Sequence, residues 1–210
     1  MQEDSNKITL TTYNNHTADY IRATPSSHDG VVQQWLILWI DRALAEIKKG
    51  GHVLEIGSAT PRDANYIRSK GYSVQCSDAT PNFVEHLKSL GEPALTINVT
   101  EDKIEGKYDM IYANAVFPHL TDTQVDAALE NIYQALNNGG VLAFNIKQGE
   151  DDEWVNEKFN DKRYINYWQP HEICDAVVHA GFTLVAVDDG VQGDLPTHVW
   201  THIIAQKSES

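Results

Sequence analysis

The apolar residues between positions 29 and 49 recur at steps of three and four, which is the spacing of an amphipathic helix. Gly50 and Gly51 follow and are typical of a helix end. We therefore predict a helix over 29–49 that packs Trp35 and Trp39 into the core, where tryptophans at this spacing usually lie. The apolar positions are Val31, Val32, Trp35, Leu36, Trp39, Ile40, Ala43, Leu44 and Ile47.

A buried strand and a tight turn come next. The apolar run at 52–56 is typical of a parallel strand covered on both faces, and Gly57 allows the chain to turn sharply. Thr60 is predicted to cap the following helix, with Pro61 as its first residue, where the missing N–H of proline costs nothing. Free backbone N–H groups are therefore expected at this turn.

A second unit of the same kind follows at once. The segment 72–78 alternates apolar and polar residues and ends in Asp78, and Thr80 and Pro81 repeat the helix start. The apolar residues after Pro81 continue a helical face as far as Gly91. The chain thus opens with two strand–helix units that predict a parallel sheet.

The later elements keep this alternation. Thr121 and Gln124 form a capping box at the start of a helix, and Gly139 and Gly140 end it. Seven strands are expected, the first five separated by helices and the last two forming a hairpin. We therefore predict an α/β fold: a Rossmann-like, seven-stranded, mostly parallel sheet with an antiparallel last strand and helices on both faces. The later strands are predicted at 94–99, 107–114, 141–147, 182–187 and 198–205, and the later helices at 121–138 and 170–181.

Two segments lack a regular pattern. Residues 1–12 are polar, and Tyr13 and Tyr20 follow in a segment without strong periodicity. We predict that 1–28 either packs on the domain surface or forms a flap over a bound ligand. Residues 148–169 combine charged and aromatic side chains, which is typical neither of a core nor of a solvated loop, and are predicted to be an insertion over the active site.

The length, composition and charge of the chain limit its organisation and partners. The 210 residues, 41% of them hydrophobic, contain no Pro/Ser-rich linker, so we predict a single domain over 1–210. With 16 Lys and Arg against 30 Asp and Glu, the formal net charge is −14 and no basic run is present. This excludes a protein that holds nucleic acid by its phosphates, and small neutral or cationic substrates fit better.

The spacing of the cysteines bears on metal binding, and the hydropathy of the chain bears on its location. Cys76 and Cys174 have no short metal-binding spacing, so we expect no metal site. No signal peptide is recognisable and no apolar run reaches about 18 residues. We expect a cytoplasmic protein that does not enter membranes, although secretion by another route stays open.

The candidate chemistry lies where the first two strands end. Asp78 follows Gly57 by about 20 residues, one strand–helix–strand step, and in such folds an acid at this place accepts hydrogen bonds from ribose hydroxyls. A ligand of an open α/β sheet binds outside the carboxyl ends of the strands. Both residues are therefore expected in one binding site, with a solvated turn as the alternative for Asp78.

The Gly57 turn resembles motif I of the class I S-adenosylmethionine-dependent methyltransferases, an acidic residue followed by glycines at alternate positions. The sequence has Glu55, Gly57, Ala59 and Pro61, so two of the three glycines are replaced. The resemblance extends over residues 13–205, through Asp78, Asn98/Val99, the run from Asp109 to His119 and the Gly139/Gly140 turn. The stretch from Arg163 to Phe182 looks like that of small stand-alone bacterial methyltransferases.

The resemblance implies S-adenosylmethionine as the methyl donor and a small molecule as the acceptor, in a monomer or homodimer. It places the methionine end of the donor beside Asn114 and Ala115, and the adenine beside Asn98 and Val99. The implied cofactor-binding residues are Tyr13, Tyr20, Glu55, Gly57, Ser58, Ala59, Asp78, Ala79, Asn98, Val99, Asn114 and Ala115.

The acceptor pocket is expected between the loop after the fourth strand and the 148–169 insertion. Its candidate catalytic residues are His119, Arg163, Tyr164 and Tyr167. His119 is a candidate general base, needed only if the acceptor must lose a proton early. The alternatives are a histidine with both nitrogens bonded to backbone, and for Arg163 a surface ion pair.

Two other functions share part of this pattern. A nicotinamide-dependent oxidoreductase also uses a glycine turn and a following acid, but it requires a third glycine where this chain has Arg62. A catalytically degenerate methyltransferase-fold protein that binds a nucleoside-type ligand or a partner is permitted by the replacements at Ala59 and Pro61. A methyltransferase is the function that the ordered motifs favour.

Overall fold

The computed structural model describes residues 4–26, 31–192 and 199–208. Parts of three predictions lie outside these ranges: both ends of the 1–28 segment, the start of the 29–49 helix and the first residue of the last strand. The helices are α1 Ser5–Asn15, α2 Thr17–Ala23, α3 Val31–Ala45, α4 Arg62–Ser69, α5 Pro81–Ser89, α6 Asp122–Ala135 and α7 Pro170–His179, with a 3₁₀ helix at Phe117–His119. The strands are β1 His52–Ile56, β2 Ser73–Asp78, β3 Ala94–Thr96, β4 Tyr108–Ala113, β5 Leu136–Gln148, β6 Asp152–Val155, β7 Arg163–Trp168, β8 Phe182–Gln192 and β9 Val199–Lys207.

The central sheet confirms the predicted fold class. Strands β3, β2, β1, β4 and β5 lie side by side in that order and are parallel. The antiparallel pair β8–β9 completes the sheet, with β9 beside β5. Apolar residues of α6 and α7 cover one face and those of α3, α4 and α5 the other, because the buried strands carry apolar side chains on both sides. The carboxyl ends of β1, β2 and β4 therefore share one edge.

The sheet has nine strands rather than the predicted seven, because the 148–169 insertion forms an antiparallel hairpin, β6–β7. Lys147 of β5 pairs with Trp200 of β9 along one edge and with Tyr167 of β7 along the other. Along this second edge, the earlier residues 141–144 of β5 pair with β4. Strand β7 therefore continues the sheet directly beyond the end of β4.

The N-terminal segment is helical, although its sequence has no strong hydrophobic periodicity. Asp4 caps α1 by accepting a hydrogen bond from the backbone N–H of Lys7. The buried face of α1 is polar and consists of Ser5, Asn6, Thr9 and Thr12. A hydrophobic pattern was therefore absent although the helix has a regular buried face.

Several boundaries differ from the predictions. Helix α3 ends at Ala45, before the two glycines, and Trp35 is 44% exposed whereas Trp39 is buried as predicted. Helix α4 begins at Arg62, so Pro61 is its cap and not its first residue. The helix starts predicted at Thr80/Pro81 and at the Thr121 capping box are confirmed.

Candidate active site

The turn after β1 requires a glycine at Gly57. Its φ of +70° is in the left-handed region. A Cβ there would lie 2.5 Å from Cγ2 of Val116, in the loop after β4. The backbone at this turn therefore packs against the neighbouring loop with no space for a side chain.

Asp78 joins the turn after β1 to the turn after β2. Its Oδ2 accepts a hydrogen bond from the backbone N–H of Ala59 at 3.0 Å, and its Oδ1 accepts one from Thr80 at 2.8 Å. Ala59 has a left-handed φ of +48°, a conformation that costs an L-residue about 1–2 kcal/mol. Burial raises the pKa of Asp78 to about 6, and the two backbone hydrogen bonds oppose that rise.

Glu55 and Ser58 lie behind this turn rather than in the cavity wall. The hydroxyl of Ser58 donates to Oε2 of Glu55 at 2.9 Å, and the hydroxyl of Ser77 donates to the Glu55 carbonyl at 2.8 Å. Burial, and then the charge of Asp63, raise the pKa of Glu55 well above its usual range. The expected direct contact of Glu55 and Ser58 with a cofactor is not supported, because the β1–β2 connection engages both side chains.

A cavity of about 750 Å³ opens at the carboxyl edge of the sheet. Its volume lies within the range of roughly 300–1,000 Å³ that is typical of small-molecule sites. The other predicted cofactor residues all line it: Tyr13, Tyr20, Gly57, Ala59, Asp78, Ala79, Asn98, Val99, Asn114 and Ala115. Lining residues that the sequence did not indicate include Asn6, Thr9, Leu10, Phe83, Val116, Lys147, Val155, Ile165 and Trp200.

His119 lines the cavity and is held in one tautomer. Its Nδ1 lies 2.8 Å from the carbonyl oxygen of Tyr164, which can only accept, so Nδ1 carries the proton. Its Nε2 then accepts a hydrogen bond from the hydroxyl of Tyr13 at 2.9 Å. Only one of the two nitrogens is bonded to backbone, so the structure does not show the doubly backbone-bonded alternative.

Burial keeps the His119 ring uncharged. Burial and, to a lesser extent, the positive charges of Arg163, Lys147 and Lys158 lower the pKa of His119 to about 3, against the opposing hydrogen bond to Tyr164. A ring with so low a pKa takes up a proton poorly near neutral pH. The geometry therefore gives His119 a role in positioning Tyr13 and does not favour a general base.

Arg163 points into the same cavity. Its Nη1 donates to the Tyr13 hydroxyl at 3.3 Å, and its guanidinium lies over the rings of Tyr13 and Phe159. Its buried Nε has no hydrogen-bond partner. Across the described part of the chain no carboxylate forms an ion pair with Arg163, so the surface ion pair considered for it is not found.

Tyr164 and Tyr167 lie on opposite faces of β7. Arg163, Ile165 and Tyr167 line the cavity, because side chains two apart in a strand share a face. The hydroxyl of Tyr167 donates to Oε1 of Glu153 at 2.6 Å. The hydroxyl of Tyr164 donates to Asp152 outside the cavity, so the expectation that its side chain lines the site is wrong and only its carbonyl takes part.

Helix α1 and the β6–β7 hairpin together form a roof over the cavity, defined here as residues 5–23 and 152–168. The hydroxyl of Thr9 accepts a hydrogen bond from the Tyr164 backbone N–H at 3.0 Å, and that of Thr12 donates to the Lys162 carbonyl at 2.6 Å. Nδ2 of Asn98 donates to Oδ1 of Asn6 at 3.0 Å. The two parts of the roof are thus joined to each other and to the loop after β3.

The described ranges contain neither a candidate metal centre nor a membrane-spanning helix. No group of three or more His, Cys, Asp or Glu side chains there could hold a metal ion. None of the helices in those ranges combines the length and the apolar character needed to cross a membrane.

Comparison with known proteins assigns the chain to a family. A family model described as a methyltransferase domain matches residues 31–187. No curated protein sequence matches the chain.

Three solved structures with the same fold are similar to this chain. The structure of DhpI in complex with S-adenosylhomocysteine (SAH) is 15% identical, with a TM-score of 0.75 and 100% of each chain covered. A TehB-like enzyme from Corynebacterium glutamicum is 16% identical, with a TM-score of 0.65 and coverage of 92% of this chain and 99% of that one. The 1,6-didemethyltoxoflavin-N1-methyltransferase of Burkholderia thailandensis is 18% identical, with a TM-score of 0.64 and coverage of 91% and 87%.

At these identities the structural similarities establish the fold, and the family model establishes more. It spans over half of the chain and includes the Gly57 turn, Asp78 and the loop after β4. The chain therefore belongs to the methyltransferase domain family, which confirms the S-adenosylmethionine-dependent methyltransferase predicted from its sequence.

Proposed function

We propose that the chain methylates a small molecule in the roofed cavity, with S-adenosylmethionine bound across the ends of β1, β2 and β4. The observation that carries the proposal is the placement of Gly57, Asp78 and the Asn114–Ala115 loop in one wall of a single cavity. When bound, S-adenosylmethionine supplies an activated methyl group on a sulfonium sulfur. The protein then has to hold both reactants in line and exclude water.

The cavity residues fit this cofactor. Gly57 lines the cavity with its backbone. A side chain at this position would collide with Val116. Asp78 is held in place by two backbone N–H groups, and each carboxylate oxygen retains acceptor capacity for a ribose hydroxyl. Asn98 and Val99 offer a polar group and an apolar surface for the adenine.

A small acceptor fits the size of the site. Tyr13, Tyr20 and the β6–β7 hairpin partly cover the cavity, whose volume of about 750 Å³ suits a small molecule. The Burkholderia thailandensis enzyme of the same fold was crystallised with a small molecule, 1,6-didemethyltoxoflavin. Cys76 and Cys174 are free thiols, which suits the bacterial cytoplasm that we propose as its location.

Isothermal titration with S-adenosylmethionine, SAH and NADH tests the proposal. We expect one site per chain for the first two and no binding of NADH. A well-folded protein that binds neither S-adenosylmethionine nor SAH would overturn it. Incubation with fractionated bacterial metabolites then tests turnover, measured as SAH formed, and binding without any turnover would favour the degenerate, binding-only alternative.

A further inference from the structure

Three cationic side chains line the proposed acceptor end of the cavity, against two exposed carboxylates at its rim, in an acidic protein. Arg163 and Lys147 are half-buried in its wall, and Lys158 lies at its exposed rim. The formal net charge of the chain is −14, so cations gathered at one cavity are unexpected from composition alone. This end therefore attracts an anionic group more strongly than the rest of the surface does.

Three carboxylates line this cavity: Asp78, Glu153 and Glu157. Asp78 belongs to the cofactor end, where two backbone N–H groups hold it. Glu153 and Glu157 are exposed residues at the hairpin rim, and Glu153 accepts a hydrogen bond from Tyr167. In the part of the chain that the structure describes, none of them pairs with Arg163, whose buried Nε has no partner. The guanidinium is thus left with donors for a ligand.

Neither His119 nor Tyr13 is suited to remove a proton from an acceptor at this end of the cavity. His119 is uncharged, and its unprotonated nitrogen, Nε2, accepts a hydrogen bond from the Tyr13 hydroxyl. The Tyr13 hydroxyl remains protonated, since burial raises its pKa although the charge of Arg163 opposes the rise. An acceptor that is already ionised needs no such group.

We propose that the methyl acceptor is a small molecule bearing a carboxylate or phosphorus oxyanion, and that the charged oxygen held by Arg163 is itself the nucleophile. A lone pair of that oxygen forms the new bond to the methyl carbon. The carbon–sulfur bond breaks, its electron pair stays on sulfur, and the sulfonium becomes a neutral thioether. No proton is released, and the acceptor loses one negative charge, which weakens its hold on Arg163 and promotes product release.

This inference rests on the proposed methyl transfer, and a binding experiment separates the two. The SAH-saturated protein is titrated with phenylacetate, with phenylphosphonate and with uncharged phenylacetamide. We expect at least one anion to bind about tenfold or more tightly than the amide, because the charge-assisted hydrogen bonds are lost with the charge. The stronger of the two anions identifies the oxyanion class.

Substitutions of Arg163 test whether the anion binds to this residue. Arg163→Gln should weaken the preferred anion by about tenfold to a hundredfold and Arg163→Lys by less, while SAH affinity stays within a few-fold. Arg42→Gln, which removes the same charge from an exposed position paired with Asp188, is the matched control and should leave both ligands unaffected. No preference for anions, or equal binding by Arg163→Gln, would overturn the inference. Failure of SAH binding would instead count against the proposed function.

Turnover gives a second, independent measurement. Acceptors of the preferred class are assayed in weak buffer with a pH indicator, and protons are compared with SAH formed. At a pH above the last pKa of the acceptor, where it is fully ionised, an oxyanion should release no proton per turnover, whereas methylation of an N–H or neutral O–H group releases one. Stoichiometric proton release would overturn the proposal even if anions bind.

Discussion

The hydroxyl of Tyr13 lies 2.9 Å from Nε2 of His119, so the first helix of the chain bonds directly to the loop after the fourth strand. The two residues are 106 positions apart in sequence. Their rings also meet edge to face with centroids 5.3 Å apart. This contact ties the roof to the sheet edge where the methyl acceptor is proposed to bind.

A double-mutant cycle tests the energetic coupling of Tyr13 and His119. Tyr13→Phe leaves a largely enclosed Nε2 without a donor and should lower the free energy of unfolding by about 1–3 kcal/mol. Combined with His119→Phe, it should cost about 0.5–1.5 kcal/mol less than the sum of the single changes in chemical denaturation. Tyr72→Phe, which loses a hydrogen bond to the Leu44 carbonyl outside the cavity, should show no coupling to His119→Phe.

The affinity for S-adenosylmethionine should depend on pH through Asp78. Its pKa is raised to about 6, so the free protein holds a proton there below that pH, and the protonated carboxyl is a poorer acceptor for ribose hydroxyls. We expect the dissociation constant at pH 5 to be about tenfold larger than at pH 7.5. Titration calorimetry measures it, and Asp78→Asn should bind more weakly with this dependence removed. Equal constants at both pH values in the native chain would contradict the assignment.

The same shift affects stability in a defined window. The unfolded chain loses the Asp78 proton near the usual carboxyl pKa of about 4, whereas the folded protein keeps it up to about 6. The folded state binds more protons between these values, so the Asp78 contribution to stability is greatest at the acid side and falls as pH rises through about 4 to 6. Comparing unfolding of the native chain and Asp78→Asn across this window isolates the effect.

Replacing Gly57 should damage both folding and cofactor binding. Gly57→Ala forces a left-handed alanine, at about 1–2 kcal/mol, and also a collision with Val116. Gly50→Ala is the matched control, since Gly50 has a similar φ of +81° and open space around it. We expect the control to lose only the backbone term in denaturation and to bind SAH normally. Similar behaviour of the two variants would show that the contact with Val116 is unimportant.

The opposite change at Ala59 should be mild. Glycine relieves about 1–2 kcal/mol of left-handed strain but gives the unfolded chain about 0.4–1 kcal/mol of extra entropy. Ala59→Gly should therefore stabilise the protein by up to about 1.6 kcal/mol and alter S-adenosylmethionine affinity only a few-fold. If affinity or turnover instead rose by orders of magnitude, the natural chain would be better described as a degenerate relative.

The first strands were predictable because the features that form them are adjacent in the sequence. A run of apolar residues covered on both faces, a glycine and a helix start are all visible in the letters around Gly57, and the same holds before Asp78. The order of the units then places both residues at one sheet edge. No long-range information was needed for that part of the site.

The acceptor side was less predictable because its patterns are not hydrophobic. In β7 the residues on both faces are largely buried, and arginine, asparagine and tyrosine replace the usual apolar alternation. Once the segment is known to be a strand, its period of two groups Arg163 with Tyr167 and excludes Tyr164. Helix α1 was missed for a similar reason, since its buried residues are polar.

The polar buried face of α1 also affects how much free energy it costs to expose that face to water. Hydroxyls and amides of Asn6, Thr9 and Thr12 can exchange their partners for water, so lifting the helix exposes little apolar surface there. If this face were apolar, exposing it to water would cost about 25 cal/mol of free energy for each Å². The hydrogen-bonded contacts of Asn6, Thr9 and Thr12 should therefore cost less to replace with water than an apolar contact of the same area would.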